Sequence, residues 1–205
     1  MTTLVLISDT HGIHDPARIP EGDILIHAGD ISEAGELYEV AAFNEFLGSL
    51  PHRHKILIAG NHDFLFEQQP KEAQTEITNA IYLMDSSVET EGIKFYGSPW
   101  QPWFHDWAFN LQRGEELRRV WAKIPSDTDV LITHGPPAGI GDRVWTGENV
   151  GCEDLRDRVL SLRPRLHVFG HIHEARGIWH TEGITFVNAS MLGSEEQAHV
   201  FHWDK

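Results

Sequence analysis

Leu4-Val5-Leu6-Ile7-Ser8-Asp9-Thr10-His11 carries four apolar residues straight into an acid and an imidazole. An unbroken apolar run of this length reads as a strand buried on both faces. The polar pair then sits just beyond the strand's carboxyl end, where open α/β sheets bind their ligands. The same grammar returns four times: Gly29-Asp30 follows Ile24-Leu25-Ile26-His27-Ala28, and Gly60-Asn61-His62-Asp63 follows Ile56-Leu57-Ile58-Ala59. His134-Gly135 follows Val130-Leu131-Ile132-Thr133, and Gly170-His171-Ile172-His173 follows Leu166-His167-Val168-Phe169. Metal-ligating residue types at five strand ends are the arrangement a shared site requires.

Working outward, β-type runs are expected at residues 4–8, 23–28, 55–59, 94–96, 130–133, 166–169, 184–188 and 199–203. Val40, Phe43, Leu47 and Leu50 share one face of a helix that Pro51 ends. Further helices are expected over 113–123 and 152–162, and a hairpin turn near Glu182-Gly183. Strand, helix and strand alternate in the first third, and the C-terminal part reads as hairpins. The class is α/β with mixed sheets.

The bulk numbers bound the function. A chain of 205 residues reads as one domain over 1–205, 40% hydrophobic and 23% charged. No apolar run approaches the roughly 20 residues of a membrane helix, and Met1 leads into the first strand without a basic leader, so a cytoplasmic protein with no membrane partner is expected. The single cysteine, Cys152, agrees with a reducing compartment and reads as a small buried side chain. A formal net charge of -15 repels the backbone of long nucleic acids. Fourteen histidines beside 31 carboxylates supply donors of the kind that bind transition metals.

The ordered set Asp9-Thr10-His11, Gly29-Asp30, Gly60-Asn61-His62-Asp63, His134-Gly135 and Gly170-His171-Ile172-His173 resembles the calcineurin-like metallophosphoesterase superfamily. Each piece alone is weak, but five in order are specific. The likeness is closest to the metallophosphoesterase-domain-containing subgroup with brain-expressed animal members. It is carried by Ile58-Ala59-Gly60-Asn61-His62, Gly97-Ser98-Pro99-Trp100, Trp107-Ala108-Phe109-Asn110-Leu111, Thr133-His134-Gly135-Pro136-Pro137 and residues 167–174. Some relatives lack the first histidine of the Gly-His-x-His motif; this sequence keeps it as His171.

The resemblance implies a four-layer sandwich of two stacked mixed β-sheets flanked by helices. It implies two divalent ions, Mn, Fe or Zn, one held by Asp9, His11, Asp30 and His173 and the other by Asp30, Asn61, His134 and His171, with Asp30 bridging. Imidazole and carboxylate donors suit such borderline metals. The expected reaction is phosphoester hydrolysis by a metal-bridging hydroxide, on a phosphodiester such as a cyclic nucleotide. The partner is then a small phosphoester, nucleotides among the candidates. A phosphomonoesterase and a non-catalytic metal-binding scaffold are the alternatives. His62 is expected to face the substrate as a catalytic group, with Asp63 orienting it.

Other polar residues carry weaker expectations. His27 and Asn188 read as supports that fix ligands from behind. Glu33, Glu36, Glu39 and Glu45 read as the solvated face of the first helix. The aromatic segment 100–107 reads chiefly as a loop nailed to the core by its tryptophans, and alternatively as a wall on which a nucleobase stacks.

Overall fold

The computed structural model describes residues 1–195 and 197–204. The first half builds β1 (Thr2–Ile7), β2 (Ile24–Ala28), α1 (Leu37–Ser49), β3 (His54–Ile58), α2 (Phe64–Gln68), α3 (Pro70–Glu76) and β4 (Ile81–Tyr82). The chain continues through β5 (Ser86–Thr90), β6 (Ile93–Ser98), β7 (Gln101–Pro102), β8 (Asn110–Leu111), α4 (Glu115–Trp121), β9 (Val130–Thr133), α5 (Glu153–Leu162) and β10 (Leu166–Phe169). It ends with β11 (Gly177–Thr181), β12 (Ile184–Asn188) and β13 (His199–Trp203).

One five-stranded sheet has the order β13-β1-β2-β3-β4, with β1 to β4 parallel and β13 antiparallel. A six-stranded sheet has the order β11-β12-β10-β9-β6-β5, its four inner strands parallel and its two edges antiparallel. Both sheets are mixed, as expected.

The alternation of side chains along each strand builds the layers. Leu4 and Leu6 of β1 join Ile24 and Ile26 of β2 in a cluster that also holds Phe95, Val130, Ile132, Leu166 and Val168 of the second sheet. That cluster lies between the sheets. Val5, Ile7 and Leu25 point the other way, into Val40, Phe43 and Leu47 of α1 and Leu65, Phe66 and Ala73 of α2 and α3. On the far face of the second sheet, Leu131, Phe169 and Phe186 meet Leu117 and Trp121 of α4 and Leu155 and Val159 of α5. Burying each such side chain contributes about 1.5 to 3 kcal/mol. The result is the four-layer sandwich.

The expected strands and the three expected helices are present with ends shifted by a few residues. Glu33 departs from its expected place: α1 begins at Leu37, and Glu33 lies in the loop before it. That loop is tied down by the Glu39 carboxylate, which accepts from the backbone N–H of Glu33, Ala34 and Glu36. Among the described residues no helix is long and apolar enough to cross a membrane.

Candidate metal centre

The parallel strands of both sheets point their carboxyl ends the same way, and the loops leaving them converge. Asp9 and His11 follow β1, Asp30 follows β2, Asn61 to Asp63 follow β3, His134 follows β9, and His171 and His173 follow β10. Asp9, His11, Asp30 and His173 each offer a ligand atom, all within 4.8 Å of one another. Asp30, His134 and His171 form a second such group, so Asp30 belongs to both. The Asn61 amide oxygen lies 2.8 Å from His134 Nε2 and so joins the second group. The seven residues proposed as ligands thus lie together in two groups that share Asp30.

The backbone is shaped for this convergence. Asp9, His11, Asp30 and His171 all have positive φ, between 44° and 68°, a conformation that side chains other than glycine adopt rarely and at a cost. Adjacent glycines allow the close approach. A Cβ on Gly60 would meet Asp30 Oδ1 at 2.3 Å, and one on Gly170 would meet Asp9 Oδ2 at 2.1 Å. The ligand carboxylates occupy the space that any larger residue would need.

Supporting hydrogen bonds fix each side chain. His134 donates from Nδ1 to the Ala28 carbonyl at 2.9 Å, leaving Nε2 to face Asn61 Oδ1 at 2.8 Å and Asp30 Oδ2 at 3.3 Å. Asp9 accepts from the His171 N–H and lies 3.3 Å from His173 Nε2. His27 accepts from Gly29 N–H at Nδ1 and lies 3.0 Å from Thr10 Oγ1 through Nε2, bracing the loops that carry Asp9 and Asp30. Asn188 donates to the Ile172 carbonyl, between His171 and His173. Both therefore sit behind the candidate ligands, as their sequence context suggested.

The electrostatics call for a cation. Burial works against ionising Asp30, yet the neighbouring His134 holds its carboxyl well below the usual range. Burial likewise opposes charging His134, but Asp30 pushes it up to about 9. Asp9 is lowered despite its burial, chiefly by the bond to His173. His171 is pushed down to about 4 by burial and then by His134. Lone pairs from Asp30, Asn61 and His134 meet in one buried space, which is stable only with a positive charge among them, whether proton or metal ion. His11 gives the same answer: both ring nitrogens are buried without a hydrogen bond, with carboxylate oxygens of Asp30 and Glu33 3.7 and 3.4 Å away. The donor set of imidazoles, carboxylates and one amide fits two borderline divalent ions.

His62 and Asp63 take separate places. The His62 N–H donates to Asp30 Oδ1 at 2.8 Å, and its ring Nδ1 donates to the Glu33 carbonyl at 2.6 Å. Its ring packs against His11 at 4.5 Å and Trp107 at 4.1 Å between centroids. Asp63 does not orient it. Both Asp63 oxygens turn inward and accept from the backbone N–H of Asp30, Ile31, Ser32 and Gly60 and from the Ser32 hydroxyl. Four buried backbone donors outcompete one half-exposed imidazole, because leaving them unpaired costs about 1 to 3 kcal/mol each. Burial, and next the charge of Asp30, push this carboxyl up to about 6 against those donors.

Sequence reasoning missed Glu33 and Trp107. Glu33 stands three residues after Asp30, a spacing that equally well suits a residue leading into the helix. Trp107 arrives from the aromatic segment, which divides its roles: Trp100 is tied inward through Asp85, while Trp103 and Phe104 stand exposed.

The model of the calcineurin-like phosphoesterase family matches residues 2–175. Metallophosphoesterase domain-containing protein 1 of Homo sapiens is 46% identical over 215 residues, covering 93% of this chain. The chain spans 66% of that relative's length. Among solved structures, one crystal structure aligns over 99% of both chains with a TM-score of 0.72 at 16% identity. Another, TT1561 of Thermus thermophilus, has a TM-score of 0.63 at 15% identity, over 92% of this chain and 89% of that one. These two share the fold.

Proposed function

The chain belongs to the calcineurin-like phosphoesterase family, and from that premise we propose that it hydrolyses a phosphodiester, with cyclic nucleotides as the leading substrate class. The observation that carries the reading is the pair of ligand clusters sharing Asp30. Asp9, His11, Asp30 and His173 would hold one ion, and Asp30, Asn61, His134 and His171 the other. When bound, two such ions lower the pKa of a water and neutralise the phosphoryl oxygens. Mn, Fe and Zn suit the donors, and the lone buried cysteine supports a cytoplasmic setting.

The chain's own groups do the rest. Because Nδ1 of His62 is committed to the Glu33 carbonyl, Nε2 is the nitrogen left for substrate. In its doubly protonated form it would give the Nε2 proton to the leaving oxygen and be left as the neutral ring that still donates from Nδ1 to the Glu33 carbonyl. Trp107 and His11 hold the ring from two sides. Asp63 acts one step back: by gathering the amides of Asp30 and Gly60 it sets where the shared carboxylate and Asn61 begin.

The test compares bis-p-nitrophenyl phosphate with p-nitrophenyl phosphate, each with added Mn, using Asp30→Asn as the blank. The diester is expected to turn over faster, and Asp30→Asn to lose activity by orders of magnitude with the fold intact by circular dichroism. Undiminished activity in Asp30→Asn would remove the whole site assignment, whereas a faster monoester would overturn only the diester preference.

A further inference from the structure

His11 has two ring nitrogens, and the ligand cluster accounts for one of them. Nε2 lies 3.7 Å from Asp30 Oδ2 and so is the nitrogen turned toward the cluster. If its lone pair goes to an ion, the neutral ring carries its proton on Nδ1. That N–H cannot turn to water, because both ring nitrogens are buried and the side chain is 4% exposed. A buried donor without a partner is costly. His134 meets the same demand with the Ala28 carbonyl, 2.9 Å from its Nδ1. Among the described residues no carbonyl does this for His11; what lies beside its Nδ1 is Glu33 Oε2, 3.4 Å away.

The loop that delivers Glu33 is fixed more closely than an exposed turn needs. From Asp30 to Glu36 every residue but Gly35 gives its backbone N–H to a carboxylate. Asp63 takes those of Asp30, Ile31 and Ser32, and Glu39 takes those of Glu33, Ala34 and Glu36. The Glu33 carbonyl also accepts from His62 Nδ1 at 2.6 Å. The Glu33 backbone is therefore held in one frame with Asp30, and only side-chain torsions separate its carboxylate from a hydrogen bond to His11.

The charge balance points the same way. In a molecule of net charge -15, a further carboxylate beside the ligands Asp9 and Asp30 is repelled unless something positive faces it. An imidazole bound to a metal ion through Nε2 supplies that face, since its Nδ1–H becomes a stronger donor and a carboxylate is its usual partner.

We propose that Glu33 is a positioning residue of the metal centre: its carboxylate accepts the Nδ1 proton of His11, fixes the tautomer that leaves Nε2 as a ligand, and tightens one cluster's hold on its ion. The assignment rests on the two-ion reading above. It sets the clusters apart, because His11 is backed by a charged carboxylate and His134 by a neutral carbonyl. His62 is held by the Glu33 backbone, so replacing the side chain leaves its acceptor in place.

Calorimetric titration of the chelated full chain with Mn reads both ions. Wild type should bind two equivalents, and Glu33→Ala should weaken one of them roughly 10- to 100-fold, the usual weight of such a partner, while the other changes little. Glu33→Gln keeps an oxygen acceptor without the charge and should fall between. The Glu33 side chain is 70% exposed, so neither change threatens folding. A merely structural role would lower affinity whatever residue replaces His11. The proposed role vanishes with the imidazole, so in a His11→Gln background Glu33→Ala should lower affinity no further. Nuclear magnetic resonance of the Zn-loaded chain with isotope-labelled histidine gives the direct view. Wild type should show a slowly exchanging His11 Nδ1–H, assigned by its absence in His11→Gln, and Glu33→Ala should lose it to exchange. Unchanged affinities in Glu33→Ala, or equal losses in the wild-type and His11→Gln backgrounds, would overturn the assignment. So would a third equivalent of Mn that disappears with Glu33, since Glu33 would then be a ligand itself, together with His11 and His62. A wild-type chain that binds no Mn would overturn the two-ion reading and this role with it. Two ions that respond to Glu33 as expected, without turnover, would overturn only the hydrolase reading and leave the positioning role standing.

Discussion

At the scale of single residues, neighbours in sequence have taken opposite duties. His62 faces outward on a hydrogen bond to the Glu33 carbonyl, while Asp63 turns inward to four backbone amides. His62→Ala should therefore leave both ligand clusters whole, with near-normal Mn content by elemental analysis. A ribose alkoxide leaves poorly without a proton, whereas p-nitrophenolate needs none. The loss should accordingly reach roughly 10²- to 10⁴-fold on a cyclic nucleotide and be clearly smaller on bis-p-nitrophenyl phosphate. Equal losses on both, with chemistry rate-limiting, would assign His62 to phosphoryl charge stabilisation. The convergence of the candidate ligands was legible in the sequence because each lies within a few positions of a strand end, so order along the chain translates directly into place. The partner of Asp63 was not legible, since adjacency in sequence says nothing about which way a buried carboxylate turns.

Elements explain both the precision of the site and part of its pH behaviour. Gly170 follows β10 directly, with its Cα facing Asp9 and Ser8, and a Cβ there would lie 2.1 Å from the Asp9 carboxylate. Gly170→Ala should cost about 1 to 3 kcal/mol from overpacking and displace Asp9, so that one metal binds more weakly while the other cluster is little changed; unaltered Mn stoichiometry and affinity would count against it. In the neighbouring strand β9, Thr133 Oγ1 donates to the Gly135 carbonyl and so accepts from His167 Nε2–H at 2.8 Å. His167 Nδ1 is buried with no hydrogen bond, and burial pushes the imidazole down to about 3. Above pH 6.5 the ring is neutral folded and unfolded, and stability is complete. Below it the unfolded chain takes up a proton that the folded chain refuses until about pH 3, so stability falls as pH falls through that window. His167→Gln removes the titration, and urea unfolding of the chelated protein between pH 6.5 and 5 should show about 2 kcal/mol less acid loss than wild type; identical acid slopes would sink the prediction. Among the elements, the apolar runs that became inner strands were readable because burial on both faces removes every polar residue. The edge strand β5, Ser86–Thr90, was not, because it is half exposed and its polar residues read as loop. Likewise α2 and α3 are short and separated at Pro70, so neither shows a full helical period.

The scale of the whole molecule decides why the centre matters for stability as well as chemistry. Periodicity indicated α/β layers, but not that two sheets would stack face to face, because the apolar inner strands carry no mark of which face meets helices. In the structure Asp9, His11, Asp30 and Asn61 leave the first sheet and His134, His171 and His173 the second. Each ligand cluster therefore draws on both sheets. Bound ions would cross-link the two layers at the end where the chain concentrates buried carboxylates within an acidic molecule of net charge -15. Since the unfolded chain cannot assemble either cluster, binding adds about 2.7 kcal/mol at a free metal concentration near 100 times Kd. For a chain of this size that corresponds to a rise in Tm of about 5 to 10 °C. Chelated protein titrated with Mn in a calorimeter should show this shift, and Mg, which prefers all-oxygen sites and sheds water reluctantly, should give much less. Asp30→Asn supplies the control, because it weakens both clusters at once and should leave Tm nearly independent of Mn. Equal melting of chelated and Mn-loaded wild type would mean that the seven side chains converge without holding metal between the sheets.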